Sequence, residues 1–273
     1  MADEIRSDDI KNEMRSIQET AVKAMVYRYT IFNKHGAKDN ADAKLKMGLL
    51  PFVGMVTALI SVILLFIFNI IGDALIDPVA ITAPFIIAVP IIVYRFRTVA
   101  GIANLSDRVF ADVKRGDGLG PAGAVVPVLL ILVLYGAYAM IGSRFMLFYV
   151  PALEIAVTLA VVSLLYFSKE RKDIRYTDAV DTPGFITAII ISVIAGIVFA
   201  CIPMAIYGAL DIMSVVYIVI MFVIALLFGF IGAAVADKKF HGVSETEFYA
   251  GFEISRVFIA VLFLLIVVLI EFN

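Results

Sequence analysis

Cysteine and histidine are almost absent from this chain. Of its 273 residues, one is cysteine and two are histidine. The single Cys201 excludes an internal disulfide, and the two distant histidines, His35 and His241, exclude a metal cluster of the Cys/His type. The N-terminal stretch MADEIRSDDIKNEMRS also lacks the apolar centre of a signal peptide. We therefore expect the first apolar run to remain as a membrane anchor.

Two further features are missing. No extended basic stripe with interleaved aromatic residues is present, so we expect no binding to nucleic acid. No strong internal repeat is visible, which argues against a transporter built from two similar halves.

Apolar residues, in contrast, make up 62% of the chain, and the mean hydropathy is +1.01. A soluble core of this size cannot bury so much apolar surface, so lipid must be the solvent for most of the chain.

Seven apolar runs have the length of about 20 residues that one bilayer crossing needs. They are continuous rather than alternating, which favours helices over the strands of a barrel. We therefore predict an all-α integral membrane protein with about seven transmembrane helices. Prolines interrupt the second run, and its helix is expected to begin near residue 78. The runs are residues 48–72, 74–94, 122–142, 146–167, 184–208, 212–236 and 252–270.

The basic residues predict the orientation. Of the 22 lysines and arginines, nine lie in residues 1–47, five in 95–121, four in 168–183 and two in 237–251, and Arg256 lies just beyond the last of these; the other connections hold only Arg144. By the positive-inside rule the N-terminus and these long loops face the cytoplasm, and the C-terminus lies outside. We expect a multi-pass protein of the cell's cytoplasmic (inner) membrane, surrounded by lipid.

Two regions are predicted. Residues 1–47 form a cytoplasmic amphipathic helical extension, which packs on the membrane domain or on a membrane-protein partner. Residues 48–273 form the seven-helix membrane domain. Its functional loops are expected at residues 95–121, 168–183 and 237–256.

These three loops mix carboxylates with arginine, lysine and glycine. That composition suits magnesium-dependent phosphoryl transfer, because oxygen ligands hold the metal while metal and basic groups neutralise a diphosphate. Asn104 and Asp107 are three residues apart and would share one helix face. As an exposed loop residue, Asp107 is expected to contribute little to stability. Solvated loops beside membranes often have the same composition, so the sequence leaves both interpretations open.

Three segments add a more specific indication. TVAGIANLSDR follows the second apolar run, RGDGLGPAG enters the third, and HGVSETEFYAGFE lies near the C-terminus. In order and spacing they resemble the motifs of the cobalamin synthase family, the adenosylcobinamide-GDP ribazoletransferases, over roughly residues 26–268. The resemblance implies a membrane transferase that joins adenosylcobinamide-GDP to alpha-ribazole phosphate and releases GMP, with Mg²⁺ at the diphosphate. Its partners would be corrinoid and nucleotide small molecules.

The resemblance and the loop composition together predict the site. The catalytic residues are Asp107 and Asn104. The metal ligands are Asp107, Asp117, Glu245 and Glu247. The substrate-binding residues are Arg97, Arg115, Gly120, Gly123, Arg171 and Glu253.

The sequence also departs from the family at acidic positions. Ala100 and Asn104 stand where the first motif has aspartates, and Thr246 replaces the aspartate of the last motif. Losing these charges weakens a magnesium site. Two interpretations therefore compete: a divergent transferase that has rebuilt its site, or a catalytically degenerate member that binds a corrinoid or serves as a structural membrane subunit.

Glu154 is the only ionisable residue that the predicted spans place well inside the membrane. It lies about 12 Å from the end of its span, at 1.5 Å per residue. A charge there costs at least a few kcal/mol, so we expect Glu154 to be protonated or bonded to a neighbouring helix. The alternative is a small ion-coupled transporter that uses Glu154.

Overall fold

The computed structural model describes residues 22–23, 25–31, 47–71, 78–111, 119–140, 144–169 and 180–271. Over these ranges the chain is helical and forms no β-strand. Short 3₁₀ segments precede two of the helices, and a π-helical stretch, Asp107–Ala111, continues another. The helices are α1 (Pro51–Ile71), α2 (Pro78–Val93), α3 (Arg97–Ser106), α4 (Pro121–Met140), α5 (Val150–Phe167), α6 (Thr182–Ile206), α7 (Ile212–Phe240) and α8 (Glu245–Glu271).

Six of these helices, α1 and α4 to α8, are long and apolar enough to cross a membrane. Helices α2 and α3 pass the same test only as a pair, which is bent by 88° and forms a broken span or a re-entrant loop, so the described residues give six or seven crossings. The bend falls at Arg95 and Phe96, whose φ angles of 56° and 59° are left-handed. As predicted, α2 begins at residue 78. The predicted class, an all-α multi-pass membrane protein, is confirmed.

Two predicted loops are largely helical instead. Residues 97–111 of the loop 95–121 are helical, as α3 and its π-helical continuation. The loop 237–256 is the end of α7, a short turn and the start of α8, which begins at Glu245 rather than at residue 252. The physical reason for the early start is a cap formed by Ser244 and Glu247, described below. Residues 170–179 of the loop 168–183 lie outside the described residues.

Helix α5 is the centre of the bundle. Every residue from Val150 to Leu165 is buried, and α5 packs against α1, α6, α7 and α8. Glycines allow the close approach: Gly54 of α1 lies against Thr158, and Gly229 of α7 lies against the backbone of Ala160. Without a hydrophobic force between helices in lipid, such small residues are what bring membrane helices together.

The helix ends alternate between two sides of the bundle. At one end, the Ser168 hydroxyl after α5 donates to the Asp237 carboxylate of α7 at 2.7 Å. At the other end, the rings of Phe148 and Tyr207 stack with centroids 5.4 Å apart. We call the first end the basic end, because α7 finishes there with Lys238 and Lys239. That the basic end faces the cytoplasm stays a prediction of the positive-inside rule.

The described part of the N-terminal extension packs on the basic end. Met25 and Tyr29 are buried, and the Tyr29 ring lies 5.7 Å from that of Phe248 in α8. The Ile31 amide donates to the Val93 carbonyl at 3.0 Å. Burial raises the pKa of the Tyr29 hydroxyl well above its usual range. These contacts attach the extension to the membrane domain.

Candidate functional site

The three segments that carry the family resemblance meet at the basic end. Helix α3 lies along the start of α8 and against the start of α4. Its buried residues recur at helical spacing, among them Thr98, Ile102 and Ser106. Gly101 makes the approach to α8 possible, since a Cβ there would stand 2.7 Å from the Ala250 amide nitrogen. We call residues 97–111, 119–123 and 244–253 the junction.

Asp107 caps the start of α4 from outside that helix. Its carboxylate accepts the amide of Gly120 at 2.7 Å and the amide of Gly123 at 2.5 Å. The first amides of a helix have no partner within the helix, and the positive end of the helix dipole favours a carboxylate there. Glycine is required at Gly123, because a Cβ would overlap the Asp107 side chain. Asp107 thereby joins α3 to α4.

Two expectations for the first motif are corrected by these contacts. Asp107 is only 4% exposed and fully hydrogen-bonded, so it is not an exposed loop residue. Asn104, one turn earlier on α3, is exposed. One side chain faces the protein and the other faces out, so the two do not present themselves as a pair to one ion.

Glu247 caps the start of α8 through its side chain, which accepts two bonds from Ser244. The Ser244 amide donates to Glu247 Oε2 at 2.9 Å, and the Ser244 hydroxyl donates to the same oxygen. The other carboxylate oxygen pairs with the guanidinium of Arg108, which also lies 4.4 Å from the centre of the Phe240 ring. Glu247 therefore ties the start of α8 to the end of α3.

The remaining predicted residues divide into three groups. Arg97 lies in the junction and donates to the Tyr249 hydroxyl at 3.1 Å, and Glu253 accepts the Thr98 hydroxyl at 2.5 Å. Glu245 is exposed at the first turn of α8. Outside the described residues lie Arg115, Asp117 and Arg171.

The described residues do not fit a magnesium ion. Among them, no group of three or more histidine, cysteine, aspartate or glutamate side chains is placed to hold a metal. Magnesium needs oxygen ligands in near-octahedral geometry. Asp107 gives its two oxygens to amides of α4, and Glu247 gives its oxygens to Ser244 and Arg108. Both carboxylates therefore have a structural role, in which they connect α3 to α4 and to α8.

A second polar centre lies deeper in the bundle. The guanidinium of Arg256 in α8 forms a fork with the Glu154 carboxylate of α5, with Nε at 2.8 Å and Nη2 at 3.0 Å from its two oxygens. The remaining Nη1 donates to Glu253 at 2.5 Å, and Glu253 accepts Thr98 as described above. The expected bond from Glu154 to a neighbouring helix is confirmed. We call Glu154, Glu253, Arg256 and Thr98 the ionic network.

Sequence reasoning missed Arg256, because the predicted span began at residue 252 and placed this arginine at the membrane boundary. Arg256 is only 1% exposed. Two signals were available. An acid inside a span needs a basic partner, and Glu253 and Arg256 are three residues apart, which is the spacing of helix ion pairs.

The ionic network contains two carboxylates and one guanidinium. Removing both signs of charge from water is costly, and the cost is recovered only when geometry and hydrogen bonding are good. The fork and the Thr98 hydroxyl supply these bonds. Tyr94 and Tyr138 lie within electrostatic reach of the same charges, so the network faces side chains from several helices.

Together these features define the class: an all-α multi-pass membrane protein with a buried ionic network and a polar junction at one end. A comparison with protein-family models, curated proteins and solved structures finds no significant match. The resemblance to cobalamin synthases therefore rests on the three motifs, and it stays a prediction.

Proposed function

We propose that the protein is a catalytically degenerate relative of the cobalamin synthases, which binds a corrinoid nucleotide at the junction without magnesium-dependent transfer. One observation carries the proposal. The three segments that resemble the family are joined by direct contacts, from Asp107 to Gly120 and Gly123, and from Arg108 to Glu247. Chance similarity between separate stretches gives no reason for them to meet.

The absence of transfer follows from the charges. Ala100, Asn104 and Thr246 remove carboxylates that the family pattern has. Among the described residues, the remaining carboxylates Asp107 and Glu247 cap helices. Their oxygens already accept bonds from the scaffold, so the proposed function uses no metal.

Binding of a diphosphate is supported by two arginines of the junction. Arg97 keeps partial exposure beside Tyr249, and the side chain of Arg108 is 42% exposed beside Phe240. A guanidinium in a stacked or hydrogen-bonded position is pre-organised for phosphate oxygens. The corrinoid ring would lie at the membrane surface, outside the bundle.

The test uses the full chain in lipid nanodiscs. Adenosylcobinamide-GDP is titrated, and its binding is followed by the visible absorbance that remains with the nanodisc after gel filtration. We expect saturable binding that Arg97→Gln weakens and that Lys238→Gln, an exposed matched control, leaves unchanged. Absence of saturable binding would refute the proposal.

The same sample tests for catalysis. Alpha-ribazole phosphate and magnesium or manganese are added, and GMP is quantified against an active family member. We expect no metal-dependent GMP. Metal-dependent release would overturn the degenerate assignment and establish the transferase that the motifs predict, with Asp117, Arg115 or Arg171 as the first residues to map.

The ion-coupled transporter is less favoured by the geometry. A coupling carboxylate must release its ion, whereas both oxygens of Glu154 face Arg256. A structural contact between α5 and α8 accounts for the same residue. The transporter stays a prediction, and proton uptake into proteoliposomes tests it.

A further inference from the structure

An apolar groove runs between α7 and α8, with α5 as its floor. Its volume is about 190 Å³. Missing side chains at Gly232 and Gly251 and the small Ala160 of the floor leave the groove open. Phe228 and Val235 belong to its apolar walls. Its position on the surface of a membrane bundle opens it to the hydrocarbon.

The groove ends in charged residues at the basic end. Phe240 and Glu247 belong to its lining, and Arg108 stacks on the first and pairs with the second. Lys239 is exposed on the same face of α7, one turn after Val235. Glu247 offsets the charge of Arg108, so Lys239 supplies a net positive charge at the mouth.

The size, lining and charge of the groove indicate what kind of molecule could occupy it. A helix of a second copy or partner is about 10 Å wide with its side chains, so it would lie on the groove rather than in it and would leave the charge at the mouth without a counter-charge. Water is disfavoured by an apolar lining. A hydrocarbon chain matches the apolar lining, and a phosphate at its end complements Lys239 and Arg108.

We propose that this groove binds one acyl chain of an anionic phospholipid, with its phosphate at Arg108 and Lys239. Glu247 then has two roles, as the cap of α8 and as the group that orients Arg108 at the mouth. The site shares Arg108 and Glu247 with the junction, whereas Gly232 and Lys239 of α7 lie outside it, so variants at these two residues test lipid binding separately from corrinoid binding.

The first test fills the groove. Gly232→Leu places a side chain where a Cβ meets only Leu164 Cδ1, at 3.3 Å, whereas Gly136→Leu in α4 enters open space and serves as the matched control. After purification in detergent, native mass spectrometry counts retained phosphatidylglycerol. We expect Gly232→Leu to retain about tenfold less than the wild type, because it displaces buried methylenes. Gly136→Leu is expected to retain as much as the wild type.

The second test concerns the headgroup and the wild-type chain. Lys239→Gln should abolish the preference for phosphatidylglycerol over phosphatidylcholine, whereas the neighbouring Lys238→Gln should keep it. Phosphatidylglycerol with a photoreactive acyl chain should crosslink to peptides of α7 and α8 in the wild-type protein, which removes any dependence on the folding of variants. Equal retention in Gly232→Leu, crosslinks confined to other helices, or a dimer that Gly232→Leu dissociates would each overturn the proposal.

Discussion

Replacing Arg256 by methionine tests the ionic network. The substitution removes the fork to Glu154 and the bond to Glu253, and leaves two carboxylates in a buried site. Losing one partner of a buried pair costs about 3–5 kcal/mol, because the remaining charge is uncompensated. An ordinary hydrogen bond between membrane helices is worth only about 0.6 kcal/mol. We therefore expect Arg256→Met to remove a large share of the stability of a typical domain, about 5–15 kcal/mol.

The assay is reversible unfolding in mixed micelles, read by circular dichroism, for Arg256→Met, Glu154→Gln and the double variant. Since the two residues contact each other, the double variant should lose less than the sum of the single losses. Glu253→Gln should be the mildest change, because it removes the excess negative charge while an amide still bonds Thr98 and Arg256. A loss below about 1 kcal/mol for Arg256→Met, or strict additivity in the cycle, would refute the reasoning.

Three further changes test the scaffold. Asp107→Ala should lower the free energy of unfolding by about 1 kcal/mol through loss of the α4 cap. Asp107→Asn should also lower it, because asparagine has one acceptor oxygen and its NH2 group would face the second of the two amides, Gly120 or Gly123. Gly229→Leu should disrupt the packing of α7 on α5 and lower the fraction of monodisperse protein in gel filtration, because its side chain meets Ala160 and Ser163; Gly136→Leu is the control. Hydrogen bonds from Ser214 lower the pKa of Asp211 below its ordinary 3.8, so this cap stabilises α7 above that value and loses its effect as the pH falls through the folded-state pKa. A scan of melting temperature against pH should show this acid loss, and Asp211→Ala should lack it.

The membrane class and the order of crossings could be predicted because lipid imposes them. A continuous apolar run of about 20 residues has few alternatives to a spanning helix. The central place of α5 could not be predicted in this way. Its hydropathy resembles that of α4, and only the packing shows that α5 is buried on all sides while α4 is largely exposed. Glu154 was the one sequence feature that set this helix apart.

The predicted helix boundaries at the basic end were wrong for a different reason. An apolar run ends where polar residues begin. A helix, in contrast, ends where its backbone amides and carbonyls no longer have hydrogen-bond partners within the helix. The first turns of α8 are polar because they carry the Glu247 cap and part of the ionic network, so the apolar run begins after the helix does. The sequence SETE, with Ser244 and Glu247 in capping-box positions, was the local signal for the true start.

The same distinction separates a metal ligand from a structural carboxylate at Asp107. A motif shows which residue type is present but not which partner its oxygens take. Since the neighbouring aspartates of the family pattern are Ala100 and Asn104, Asp107 has no acidic co-ligand on α3, and the free amides of α4 are its nearest strong donors. Asparagine keeps one acceptor oxygen for α4 but places an NH2 group against the second amide, and it loses the charge that a metal requires. A lower free energy of unfolding for Asp107→Asn in the absence of metal, together with corrinoid binding that magnesium does not affect, therefore supports the scaffold role. A magnesium-dependent property lost in Asp107→Asn would restore the metal site.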